Sequence, residues 1–188
     1  MMTYINNYIS TLKSALSEDA FNLVPILCDS IYKSWADGSS IYICGNGGSA
    51  ANANHIANDF LYGAGMSNGL GLRIESLSAN QAVITCLAND IGYDKIYSEQ
   101  LRVKGKSGDV LIVLSGSGNS SNILSALEVG NSLGMRTFAL LGYDGGKALK
   151  LAQHPLHFKV DNMQICEDLQ LITAHMCMTC LRDQKVGQ

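Results

Sequence analysis

Five short apolar runs recur along this chain, and the segments between them repeat their apolar residues at helical spacing. The runs are IYIC at 41, LRIESL at 72, VLIVLS at 110, RTFALLG at 136 and LHFKV at 156. Helices are predicted at 49–62, 80–88, 92–104, 120–133 and 146–152, with a long last one at about 164–184. This alternation constrains the fold more than any other feature. Parallel strands cannot be joined by a tight hairpin; each pair needs a crossover connection, which a helix supplies. The expected architecture is α/β: a three-layer α-β-α sandwich around a mainly parallel five-stranded sheet. Ahead of the first strand, Ile5, Ile9, Leu12 and Leu16 recur at helical spacing, as do Leu23, Ile26, Leu27, Ile31 and Trp35. A helical segment over 1–37 therefore leads into the sheet. With 188 residues, 47% of them hydrophobic, a single domain over 1–188 with a substantial core is expected.

Charge and patterning exclude several classes. The formal net charge is -3 and no run of Lys or Arg occurs, so nucleic acid is not expected as a partner. No continuous apolar stretch approaches the roughly 18 residues of a membrane span. The opening MMTYINNYIS has no basic segment followed by an apolar one, which predicts a cytoplasmic protein. Cysteines stand at 28, 44, 86, 166, 177 and 180, mostly inside apolar segments, the usual placement of reduced, buried thiols. Cys177 and Cys180 form a C-x-x-C, but it falls late in a helix rather than at the N-terminus that lowers a thiol pKa, so a structural role is expected.

Two loops invite chemistry. In open parallel sheets ligands gather beyond the carboxyl ends of the strands. After IYIC comes GNGGS, residues 45 to 49, which lacks the lysine of a phosphate-loop motif and the glycine spacing of a dinucleotide fingerprint. It is either a tight turn that needs positive φ or an anion-binding turn in which Gly47 and Gly48 expose backbone N–H groups and Ser49 adds a hydroxyl. After VLIVL comes SGSGNSS, with Ser115, Ser117, Ser120 and Ser121 ahead of a helix and Gly116 between the first two serines. A flexible connector would not be expected to start at a strand end and finish as a helix N-cap. Hydroxyls and amides on a helix N-terminus make a phosphate cradle without a cation.

The segments CGNGGSAANANHIANDF, ITCLANDIGYDKIYSEQL, GDVLIVLSGSGNSSNILSAL and LLGYDGGKALKLA resemble, in order and spacing, the sugar isomerase (SIS) domain of phosphoheptose isomerases. The resemblance spans essentially the whole chain. It implies a homotetrameric α/β enzyme converting sedoheptulose 7-phosphate to D-glycero-D-manno-heptose 7-phosphate for lipopolysaccharide or capsule heptose. It also implies that Ser49, Ser115, Ser117 and Ser120 contact phosphate and sugar, with Asn46 and Asp90 near the substrate. In the family a His is followed four residues later by Glu, and the last helix carries Gln and His eight apart; some members bind zinc with such residues. Here His55 and His175 are kept, Asp59 stands where Glu is expected and Glu167 where Gln is expected.

On a helix, His55 and Asp59 share a face at i and i+4, and Glu167 and His175, eight apart, are again roughly cofacial. Four N/O donors of this kind can hold zinc. A lone histidine on an apolar helix can equally be a satisfied core residue, and Asp59 a solvated one. Aldose–ketose isomerisation needs a base to move a proton between adjacent carbons and an acid at the oxygens. Asp59, or Glu167 if the shorter side chain falls short, is the expected base; His175 is the expected acid and His55 a ligand or orienter. His154 and His157, flanking Pro155 on the approach to the last strand, are weaker candidates. Two other functions fit the resemblance. One is a non-catalytic SIS protein that binds the bacterial replication initiator; the retained carboxylates and histidines favour an enzyme over it. The other is a sugar-phosphate sensor, which would need a DNA-binding domain, and the residues before the first strand show no basic face.

Overall fold

The computed structural model describes residues 1–16, 19–65 and 70–182. Helices α1 (Met2–Ala15) and α2 (Val24–Asp37), with a 3₁₀ turn at Asp19–Leu23 between them, lead into β1 (Ile41–Gly45). Then come α3 (Gly48–Asn58), β2 (Ile74–Ser76), α4 (Gln81–Asp90), α5 (Ser98–Lys104) and β3 (Val110–Ser115). The chain continues through α6 (Ser121–Ser132), β4 (Arg136–Leu141), α7 (Ala148–Leu151), β5 (His154–His157) and α8 (Met163–Arg182). Residues 183 and 184, included in the predicted last helix, lie outside the described residues. All strand pairs are parallel, in the order β2-β1-β3-β4-β5.

Alternation along the strands fills a layer on each face. In β3, Val110, Ile112 and Leu114 pack with Leu27 and Ile31 of α2, Ile56 of α3 and Leu169 of α8. Leu111 and Val113 point the other way, onto Leu101 of α5 and Ile123 and Leu127 of α6. Each such side chain, fully buried, contributes about 1.5–3 kcal/mol of transfer free energy.

Several local expectations are corrected. The helix expected from Ile5, Ile9, Leu12 and Leu16 forms, and its apolar stripe is largely turned outward: Ile5, Ile9 and Leu16 stay exposed, while Ala15 is buried and Tyr8 and Leu12 pack against the core. The predicted strand at 156 begins at His154 and includes Pro155. A proline is tolerated there because β5 is the edge of the sheet. His154 stacks on Phe138 with centroids 4.8 Å apart, and His157 Nε2 lies 3.0 Å from the Tyr143 carbonyl, so both histidines have structural partners inside the strand. Four cysteines are buried as expected, but Cys86 and Cys180 are exposed. Contact with Cys177, then burial, pushes the Cys28 thiol pKa up, which keeps that sulfur protonated and inert. No helix among the described residues is long and apolar enough to cross a membrane.

The topology positions the site. From β1 the chain first adds β2 on one side and then β3 on the other, so the crevice between the carboxyl ends of β1 and β3 is the switch point of the sheet. GNGGS leaves β1 there, and SGSGNSS leaves β3.

Candidate active site

The turn after β1 is held from several sides. Ser78 Oγ accepts the Gly45 N–H at 3.2 Å and donates to the Gly45 carbonyl at 3.0 Å, and the Tyr97 hydroxyl donates to the same carbonyl. Burial pushes the Tyr97 phenol pKa up, so it remains a donor. Gly47 takes the left-handed φ of 57° that the turn requires. Ser49 is buried, and its Oγ accepts from Gln170 Nε2 at 3.0 Å. Asn52 Nδ2 donates both to Gln170 Oε1 and to the Glu167 carbonyl, each at 3.0 Å. The Glu167 carboxylate lies over Gly48: a Cβ at Gly48 would stand 2.2 Å from Glu167 Oε1. The anion nearest the start of α3 is thus a side chain of the protein itself.

The second loop is ordered rather than slack. Ser115 Oγ accepts the Gly118 N–H at 3.1 Å, and Ser117 Oγ accepts the Asn119 N–H at 3.3 Å. Asn119 Oδ1 accepts the Lys147 N–H at 3.1 Å, the Gly118 carbonyl accepts from Ala148 at 3.0 Å and the Gly116 carbonyl from Gly142 at 2.9 Å. The loop is therefore clasped to the segment after β4. Ser120 is the N-cap of α6 and makes no side-chain capping bond. Its hydroxyl and the first-turn amides of α6 form a donor-rich end of the kind that binds anions.

A cavity of about 100 Å³ is lined by Asn46, Ser49, Ser115, Gly116, Ser117, Ser120 and Glu167, together with Leu114 and Met163. None of these residues is a cation. A wider opening of about 540 Å³ adjoins it at Ser117 and contains Lys159 with Asp144 and Asp161.

Of the four residues expected to converge, three do. His55 Nε2 and His175 Nε2 lie 3.2 Å apart, and Asp59 Oδ2 is 3.4 Å from the first and 3.5 Å from the second. The two rings meet edge to face at 82°. Asp59 opens a π-helical turn, Asp59–Gly63, that continues α3. A structural core role for His175 does not hold, because its side chain is 51% exposed. These three side chains form a group that can hold a metal ion. Glu167, expected as a fourth ligand, is not part of it. Eight residues of helix rise about 12 Å, so Glu167 and His175 share a face but serve different stretches of it. Asp90 is also displaced from expectation: it sits exposed at the end of α4, accepts from Asn89 at 2.8 Å, and lines neither cavity.

Gln170, Asn52, Asn122 and Tyr93 were not anticipated. Gln170 stands three residues after Glu167 on an amphipathic helix, and that spacing was the available signal. Asn122 reads from sequence as one more polar residue at the start of a helix, and nothing local marks its partner 76 residues away.

The SIS domain family model matches residues 3–142. A phosphoheptose isomerase of Synechocystis sp. is 33% identical over 175 residues, covering 93% of this chain and 90% of the relative. One of Helicobacter pylori is 36% identical over 172 residues, covering 90% and 89%. Among solved structures, a phosphoheptose isomerase of Francisella tularensis superposes with a TM-score of 0.91 at 25% identity, covering 97% of this chain and 98% of that one. The enzyme of Neisseria gonorrhoeae gives 0.89 at 26%, covering 97% of each. The chain carries the SIS domain and belongs to the phosphoheptose isomerase family.

Proposed function

We propose that the protein is a cytoplasmic aldose–ketose isomerase that interconverts sedoheptulose 7-phosphate and D-glycero-D-manno-heptose 7-phosphate, supplying heptose for lipopolysaccharide or capsule. The observation that carries this reading is one carboxylate oxygen of Asp59 within 3.5 Å of two imidazole nitrogens, in a member of this family. Substrate phosphate rests on Ser115, Ser117, Ser120 and the start of α6. Glu167, facing that cavity, repels the phosphate toward α6 and accepts hydrogen bonds from the sugar hydroxyls. Asp59 takes the proton from the carbon beside the carbonyl and returns it to the former carbonyl carbon. His175 protonates the carbonyl oxygen and recovers a proton from the neighbouring hydroxyl, and His55 holds Asp59 from the other side.

The donor set fits zinc. Zinc–nitrogen bonds of about 2.0–2.1 Å at the tetrahedral angle place ligand atoms about 3.3–3.4 Å apart. The separations among His55, Asp59 and His175 are 3.2, 3.4 and 3.5 Å. When bound, zinc would be held by these three side chains and would supply Lewis-acid polarisation of the carbonyl oxygen, the part His175 otherwise plays as acid.

The protein acts as a homotetramer in this proposal. Most apolar positions of α8 are covered within the chain. Exposed apolar side chains instead neighbour the His–Asp group: Leu61, Tyr62 and Met176. A second subunit over them would remove water from the group and bring another chain's groups toward it.

The test is exchange of the substrate's carbon-bound proton in heavy water. Wild-type protein with seven-carbon ketose phosphate should take up deuterium. His175→Ala should lose at least about a hundredfold. Asp59→Glu, which restores the longer reach of the family pattern, should hold or raise the rate. No uptake by the wild type would turn the reading toward a non-catalytic binder.

A further inference from the structure

The two loops of the site are joined by a contact between side-chain amides. Asn46, in the turn after β1, donates from Nδ2 to Asn122 Oδ1 at 2.9 Å, and Asn122 Nδ2 donates back to Asn46 Oδ1 at 2.8 Å. The Tyr93 hydroxyl donates to the same Asn46 oxygen at 3.0 Å. Asn122 is the second residue of α6 and is 1% exposed, whereas Asn46 lines the serine cavity. A carbonyl oxygen has two lone pairs, and here both are engaged. One of the two Nδ2 hydrogens is taken by Asn122. What Asn46 retains for a ligand is a single N–H.

We infer that Asn122 is a positioning residue for substrate: it locks the Asn46 amide so that the cavity meets a donor there and never an acceptor. The Glu167 carboxylate in the same cavity accepts only. With these two fixed, the cavity offers a donor at Asn46 to an oxygen that only accepts, beside an acceptor at Glu167 for hydroxyls that donate, which describes a phosphate oxygen and the neighbouring hydroxyls of a sugar phosphate. Without Asn122, the Asn46 amide is held only at its oxygen, by the Tyr93 hydroxyl at 3.0 Å and the Tyr97 hydroxyl at 3.4 Å, and because hydroxyls accept as well as donate the amide can turn over and set its oxygen against a phosphate oxygen. Asn122 touches no ligand in this scheme and acts only through Asn46. The inference rests on the isomerase reading for its turnover arm alone.

Asn122→Asp keeps the shape but can no longer donate to Asn46 Oδ1, and Asn122→Leu removes both bonds at similar volume. Each should raise KM for the ketose phosphate, and the Kd of a non-reacting polyol phosphate, by about ten- to a hundredfold, with kcat changing far less. Asn122→Gln should recover part of the loss. In an Asn46→Ala background, Asn122→Leu should raise KM no further, because the residue it acts through is gone. Equal losses in both backgrounds, or a fall in kcat with KM and Kd unchanged, would overturn the inference and leave Asn122 a packing residue. Calorimetry with the polyol phosphate decides between these outcomes even if the wild type shows no turnover, a result that would count against the isomerase reading alone.

Discussion

Gly48→Ala separates the position of the Glu167 carboxylate from everything else at the site. Gly48 is the first residue of α3, and the left-handed φ of the turn is carried by Gly47, so an alanine at 48 is compatible with the backbone. In a helix, Gly→Ala is favourable by up to about 1 kcal/mol. The new Cβ would meet Glu167 Oε1 at 2.2 Å, Cδ at 2.5 Å and Oε2 at 2.6 Å. All three atoms are too close for the carboxyl group to escape by rotating in place. Ordinary contact begins at 3.4 Å, so the group must withdraw by about 1.2 Å, the difference between 3.4 and 2.2. A misplacement of about 1 Å near reacting groups costs up to a hundredfold in rate. The expected loss in kcat/KM is about ten- to a hundredfold, or roughly 1.4–2.7 kcal/mol of transition-state stabilisation. Unfolding in urea should show no loss of stability. The assay is turnover of the seven-carbon phosphate in four proteins: wild type, Gly48→Ala, Glu167→Gln and the double variant. If the carboxylate is the cause, adding Gly48→Ala to Glu167→Gln should cost less than about threefold more. A wild-type rate for Gly48→Ala, or the same loss with and without the glutamate, would refute the role given to Glu167.

Three other outcomes are expected. Ser117→Ala with Ser120→Ala removes two hydrogen bonds to a charged group, each about 1.5–3 kcal/mol, so phosphate affinity by calorimetry should fall by at least a hundredfold while the melting temperature holds; unchanged affinity would move phosphate elsewhere. The tetramer proposal has one subunit cover another's His–Asp group at Leu61, Tyr62 and Met176, which are exposed in the single chain. Met176→Asp should therefore release smaller species in sedimentation at micromolar concentration, and an unchanged assembly would place the interface elsewhere. Partial burial, then its hydrogen bond to Asp168, pushes the Tyr8 phenol pKa up to about 12. Folding favours the neutral phenol, so its contribution is complete below about pH 10 and is lost as the pH rises through about 12. Urea midpoints of Tyr8→Phe and wild type should differ at pH 9 and converge by pH 12; a constant gap would show that ionisation of Tyr8 is not involved.

Sheet and loops were legible because both rest on local pattern. Apolar runs such as VLIVLS mark buried parallel strands by composition alone, and glycine and serine clusters at their ends mark where the backbone must turn or stay open. The orientation of α1 was not legible, because Ile5 and Ile9 present the same period whether they face this chain's core or outward. The mismatch at Glu167 has a different origin. Helical spacing correctly places residues 167 and 175 on one face, but it says nothing about which neighbour each meets along the axis. Only the packing of α8 against α3 assigns Glu167 to Gly48 and His175 to His55. The pairing of Asn46 with Asn122 depends on β1 and β3 being neighbours in the sheet, a fact of topology that neither segment encodes by itself.

That packing also fixes how far apart the two ends of a substrate can be held. Along α3 and α8 the partners advance in step: Gly48 meets Glu167, Ser49 meets Gln170, and His55 meets His175. The helices therefore run parallel, and each further turn carries both away from the serine loop together. In the proposed reading, the distance between a phosphate on α6 and a proton at Asp59 is then set by rigid helices rather than by a mobile loop. Even the serine loop is tied to the segment after β4 by the bonds from Gly142, Lys147 and Ala148. Sites built on such elements hold their geometry more closely than sites on free loops. Discrimination among sugar phosphates by chain length follows from this arrangement, since a shorter chain anchored on the same serines would leave its carbonyl short of the His–Asp group. The loss for five- and six-carbon substrates should accordingly appear mainly in kcat, with phosphate binding retained.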